Sequence, residues 1–128
     1  MVLQTINENK SWIQMQWKCA FVMQWPNILF ATKAMLGTFE NPEVLSGDKG
    51  TGGVRVNPAD KPEERSMLNL RGYSKLFKGN VSVVFNTKTN NVVINIPKNI
   101  GLPSDYESLA KAIGPFMDSL ELRMYAAK

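Results

Sequence analysis

The sequence predicts an α+β fold, an antiparallel β-sheet with two C-terminal helices packed on one face. Three observations predict it. Residues 11–25 alternate between two kinds of side chain, residues 81–97 read as two alternating strands around a turn, and a helix-start pattern after Pro103 opens an apolar helical stripe.

The first stretch, "WIQMQWKCAFVMQW", divides with period two. Ile13, Met15, Trp17, Cys19, Phe21, Met23 and Trp25 share one face; Trp12, Gln14, Gln16, Lys18, Ala20, Val22 and Gln24 share the other. A helix would mix glutamine into every face, so 11–25 is expected as one long strand ended by Pro26, which has no N–H for the ladder. "PNILFATKAMLG" then places Pro near a helix start and Gly37 at its end, predicting a short helix over 26–36. Ile28, Phe30 and Thr32 alternate equally well, leaving a second strand as the alternative. Residues 41–65, rich in Gly and Pro, are expected as a long exposed loop, interrupted only by a short strand at 53–56. "SMLNLRGYSKLFKGN" is taken as a strand over 67–71, a turn and a basic connection, since Gly72 disfavours an unbroken helix there. "NVSVVFNTKTNNVVINIP" gives a hairpin of strands 81–87 and 91–97: Val81, Val83 and Phe85 alternate, Thr-Lys-Thr-Asn-Asn turns, and Val92, Ile94 and Ile96 alternate back. Finally, Ser104 with Glu107 forms a capping-box pattern, and Asp105 suits a first helical turn. Gly114-Pro115 is expected to divide this last segment into two helices.

The 128 residues amount to one domain, 1–128, with 44% hydrophobic and 20% charged residues. No apolar run approaches the roughly 20 residues of a membrane span. "MVLQTINENK" has no apolar signal core, so a cytoplasmic protein is expected. A single cysteine excludes an internal disulfide, and the absence of histidine removes the usual zinc ligands and the commonest general base. The expectation is therefore no enzyme, no catalytic residues, no metal and no cofactor. A net charge of +4 permits an anionic partner.

Two groups of residues carry the binding chemistry. Gln14, Gln16 and Lys18, with Trp12, form a polar strand face that can hydrogen-bond phosphates and base edges and stack a base. Arg71, Lys75 and Lys78, with Arg65, Lys88 and the interleaved Tyr73 and Phe77, combine charge with stacking surface. The bland readings stand beside these: a solvated sheet face, core aromatics and solubilising lysines. "GDKGTGG" lacks the Lys-Ser/Thr ending of a phosphate loop and reads as flexible chain. Capping accounts for Asp105 and Glu107, and Cys19 on the apolar face reads as a small buried hydrophobe.

"INIPKNIGLPSDYESLAKAIGPFM" resembles the end of the coat proteins of single-stranded RNA phages: a last strand closing on Ile-Pro, a short loop, a Ser-Asp-x-Glu helix start and a second helix. The resemblance spans residues 94–117 and implies an intertwined homodimer whose partner helices cover the sheet while the other sheet face meets RNA. Two features depart from that pattern, the helix at 26–36 and the long loop. The family's RNA-contacting positions do not align, so none is carried over.

A second subunit would also answer a problem of cover. Seven apolar positions on one strand span roughly 20–24 Å, more than a ten-residue helix of about 15 Å can cap. The combined expectation is a self-associating nucleic-acid-binding protein, RNA favoured, with no membrane partner, as in a phage coat that forms capsids in host cytoplasm and virion. The alternatives are a monomeric single-strand-binding regulatory module using Arg71, Tyr73, Lys75 and Lys78, and a protein-binding adaptor docking through the Gly/Pro loop.

Overall fold

Alternation, followed strand by strand, builds one sheet. The computed structural model describes residues 1–46, 67–98 and 101–126. Among them are six strands, β1 (Val2–Glu8), β2 (Trp12–Lys18), β3 (Phe39–Ser46), β4 (Met67–Ser74), β5 (Gly79–Asn86) and β6 (Asn91–Pro97), with helices α1 (Trp25–Leu36) and α2 (Tyr106–Tyr125). The strands pair antiparallel in the order β1-β2-β6-β5-β4-β3. The expected α+β class is present, and the hairpin over 81–97 is β5 and β6.

One face of the sheet is core. Ile13, Met15, Trp17, Leu68, Leu70, Val81, Val83, Phe85, Val92, Ile94 and Ile96 are all at most 4% exposed and join α1 and α2 in one cluster. The cover sought for this face comes from both helices of this chain. They are stitched together where Asn27 Nδ2 donates to the Met124 carbonyl at 2.9 Å.

Several expectations need correction. The long strand ends at Lys18, not at residue 25, because its partner β6 begins at Asn91, opposite Lys18, and offers no ladder beyond. Cys19, Met23 and Trp25 remain buried, in a connector held by Asn90, whose side chain accepts from Met23 N (2.9 Å) and donates to the carbonyls of Phe21 (2.8 Å) and Cys19 (3.2 Å). The segment after Pro26 is helix rather than strand, so this departure from the coat-protein pattern stands.

Residues 41–46, expected as loop, belong to β3. Pro42 falls where the β3–β4 register shifts between Glu40 and Glu43, at a bulge on an edge strand, where a missing N–H removes no ladder bond. Gly72 on β4 allows this pairing: a Cβ there would lie 2.8 Å from Phe39 Cβ. β4 continues through Ser74, and a four-residue turn, 75–78, replaces the basic connection. The short strand expected at 53–56, Arg65 and most of the Gly/Pro loop lie outside the described residues.

The C-terminal segment is one helix, not two. Leu109, Ile113, Met117, Leu120 and Met124 keep a single buried stripe in phase through Gly114-Pro115. Pro115 and Lys111 are both exposed, so the carbonyl that Pro115 leaves without an intrahelical donor faces water. The N-cap is Asp105 rather than Ser104: Asp105 Oδ2 accepts from Ser108 N at 2.8 Å. No described helix is long and apolar enough to cross a membrane.

Candidate nucleic-acid interface

Opposite the helices, the sheet presents a second face that no described element covers. Cross-strand register assembles it. Asn7 pairs with Gln14, Gln14 with Asn95, Asn95 with Ser82, Ser82 with Arg71, and Arg71 with Glu43, one polar row across all six strands. The next row runs Thr5, Gln16, Val93, Val84 and Asn69. Gln14, Gln16, Asn69, Ser82, Val84, Val93 and Asn95 are all half-buried. Within the face, Asn95 Nδ2 donates to Ser82 Oγ at 3.1 Å. A depression of about 660 Å³ runs across it from Trp12 and Pro97 to Asn69 and Arg71.

The structure thus brings together residues from two distant stretches. Gln14, Gln16 and Lys18 on β2 lie on the same face as Arg71 and Tyr73 on β4. Lys75 and Lys78 sit in the β4–β5 turn at the end of that face where Trp12 and Tyr73 lie. Phe77 does not join them; it is 5% exposed and packs edge-on to Phe116, with ring centroids 5.4 Å apart. The outward positions Ser82 on β5 and Asn95 on β6 were missed as candidates; Asn91, also on β6, is only 7% exposed. The signal for Ser82 and Asn95 was present: the alternate positions of both hairpin strands hold Asn and Ser, interrupted by Val84 and Val93, and no charge.

Apart from the Arg71–Glu43 pair within the row, the basic residues of this face lie at the strand ends. Lys10, Lys75 and Lys78 lie in turns at one end of the strands; Lys18 and Lys88 lie at the other, about 20 Å away at the strand rise. Two of the cations are engaged: Arg71 Nη2 lies 3.4 Å from Glu43 Oε2, and Lys75 Nζ lies 3.5 Å from Glu40 Oε1. Both pairs are about half exposed or more, and such contacts contribute only about 0–1 kcal/mol, so a phosphate can replace either carboxylate. Among the described residues, Lys18 and Lys78 form no ion pair. Trp12 and Tyr73 are 37% and 39% exposed, enough to offer a ring face.

Elsewhere, the side chains argue for structure. Cys19 is 4% exposed, and burial pushes its thiol up, away from the reactive thiolate. Among the described residues no three His, Cys, Asp or Glu side chains converge to hold a metal ion. No family model, curated protein or solved structure matches this chain.

Proposed function

We propose that this is a non-enzymatic nucleic-acid-binding protein whose ligand lies across the open sheet face. The observation that carries the proposal is the six-strand row Asn7–Gln14–Asn95–Ser82–Arg71–Glu43, flanked by lysines at both strand ends. A face made only for solubility would interleave charges of both signs along its length. Here the centre carries amides and a hydroxyl beside Val84 and Val93, with one Arg71–Glu43 pair toward the β3 edge. The amides present a donor and an acceptor side by side as base edges require, and the lysines at the strand ends suit phosphates. Trp12 and Tyr73 add stacking at one end.

Fluorescence anisotropy with labelled single-stranded RNA, single-stranded DNA and duplex DNA tests the reading. Lys75→Ala with Lys78→Ala should lower the salt dependence of affinity, and Gln14→Ala with Asn95→Ala should weaken binding at fixed salt slope. No affinity for any of the three at low salt refutes it.

A coat protein is the narrower form of this proposal, and RNA is the ligand it favours. Helices on one face and an open polar sheet on the other support it; α1, and core cover drawn from this chain's own helices, count against it. A large particle carrying nucleic acid, seen by light scattering and a 260/280 absorbance ratio, favours the coat reading; a nucleic-acid-free monomer ends it.

A further inference from the structure

The helix side of the molecule carries a cavity that nucleic-acid binding does not use. It measures about 300 Å³ and lies between the C-terminal half of α1, the middle of α2 and the β4–β5 turn. Met35, Phe39, Phe116 and Leu120 supply its apolar wall, Leu76 stands on its rim and Arg123 closes one side. Two of its three hydroxyls are engaged: Thr38 Oγ1 donates to the Met35 carbonyl at 2.7 Å, and Ser74 Oγ accepts from Phe77 N at 3.3 Å; the third, Ser119, is exposed. The one charged residue in the lining is Arg123, which is exposed and pairs with no carboxylate among the described residues.

No acidic side chain lines this cavity. The acids of the same stretch of α2 are committed elsewhere: Asp118 and Glu121 hold the Met1 ammonium at 2.7 and 3.2 Å, and Glu121 Oε2 also accepts from Ala20 N at 2.7 Å. Apolar surface continues beyond the opening. Leu76 is 68% exposed in a turn, and Phe30, one helical turn before the cavity-lining Ala34, is 46% exposed. An apolar pocket, an apolar strip leading into it and an unmatched cation beside it fit an extended ligand better than a small free one.

We propose that this cavity is the docking site for a segment of a partner protein that inserts one aliphatic or aromatic side chain and sets a neighbouring Asp or Glu on Arg123. The site lies on the face opposite the polar sheet, so a docked partner and a sheet-bound ligand can be held together. The proposal stands independently of the nucleic-acid reading.

The test is an NMR titration of the full chain with two short peptide probes. In one, a phenylalanine is flanked by aspartates; in the other, lysines replace the aspartates. The acidic probe should shift amides around Met35, Leu76, Phe116 and Arg123, and the lysine probe should bind about tenfold more weakly, the effect of reversing one well-placed charge contact. Arg123→Glu, at an exposed position that should leave the fold intact by circular dichroism, should reverse that preference. Ser119→Trp, which fills the opening, should abolish binding of both. Shifts mapping elsewhere, equal affinity for the two probes, or an unaltered preference in Arg123→Glu would overturn the proposal. So would 3-phenylpropionate competing as well as the acidic probe, which marks a small-molecule site, or self-association lost in Leu76→Asp, which marks an interface between copies of this chain.

Discussion

Replacing Asn90 should cost more than its place in a polar turn suggests. Its side chain makes three hydrogen bonds to the connector between β2 and α1: from Met23 N at 2.9 Å, to the Phe21 carbonyl at 2.8 Å and to the Cys19 carbonyl at 3.2 Å. All three are partly buried, so water can only partly replace them, and at about 1 kcal/mol each they amount to about 2–3 kcal/mol. The backbone bond from Cys19 N to the Asn90 carbonyl, 3.0 Å, survives substitution. Asn90 also holds φ at 58°, which costs alanine a further ~1–2 kcal/mol. Glycine avoids that cost but adds roughly 0.5–1 kcal/mol of unfolded-chain entropy. Asn90→Ala should therefore lose about 3–5 kcal/mol, a large share of the 5–15 kcal/mol typical of a domain, and Asn90→Gly slightly less. Urea unfolding followed by tryptophan fluorescence measures both. A loss below about 0.5 kcal/mol for Asn90→Ala, at unchanged m-value, would refute the reasoning, because one bond alone exceeds that on average.

Pro115→Ala should stabilise the protein, by up to about 3 kcal/mol, since the helix is continuous there and alanine restores an N–H toward the Lys111 carbonyl; destabilisation in urea unfolding would mean that the segment needs its break. Glu43→Gln should strengthen nucleic-acid binding and steepen its salt dependence, because Arg71 is released from its partner at 3.4 Å; unchanged anisotropy titrations would place Arg71 outside the contact. The Ser108 N–H bonded to Asp105 lowers that carboxyl's pKa in the folded protein. The cap therefore contributes fully above the unfolded carboxylate pKa and is lost as pH falls through the lowered folded value. The melting-temperature gap between native protein and Asp105→Ala should be widest near neutral pH and close in acid; a pH-independent gap would contradict the cap.

What was legible in the sequence is what local periodicity encodes. The hairpin of β5 and β6 needed only two alternating runs and a turn, and Pro26 with Gly37 framed α1. β1 was hidden by its own irregularity: the register shifts between Leu3 and Thr5, so Leu3 and Ile6, three residues apart, both face the core and no period of two appears. Pro42 masked β3 because only the register shows that it sits in an edge bulge. β2 looked longer than it is because Cys19, Met23 and Trp25 stay buried after the chain leaves the sheet; a strand's end is set by its partner, which a single stretch does not reveal. Gly114-Pro115 argued for two helices locally, and the in-phase stripe from Leu109 to Met124 overrode it. The candidate interface divides in the same way. Alternation separated Gln14, Gln16 and Lys18 from the core, but only strand order sets them beside Asn95, Ser82 and Arg71.

Amide chemical-shift mapping of the full chain with a saturating oligonucleotide tests the central claim most directly. Perturbations should concentrate on Gln14, Gln16, Asn69, Arg71, Ser82 and Asn95, extend to the lysines at the strand ends, and leave the outward positions of α1 and α2 unchanged. Perturbations centred on the helices, or none at low salt, would contradict it.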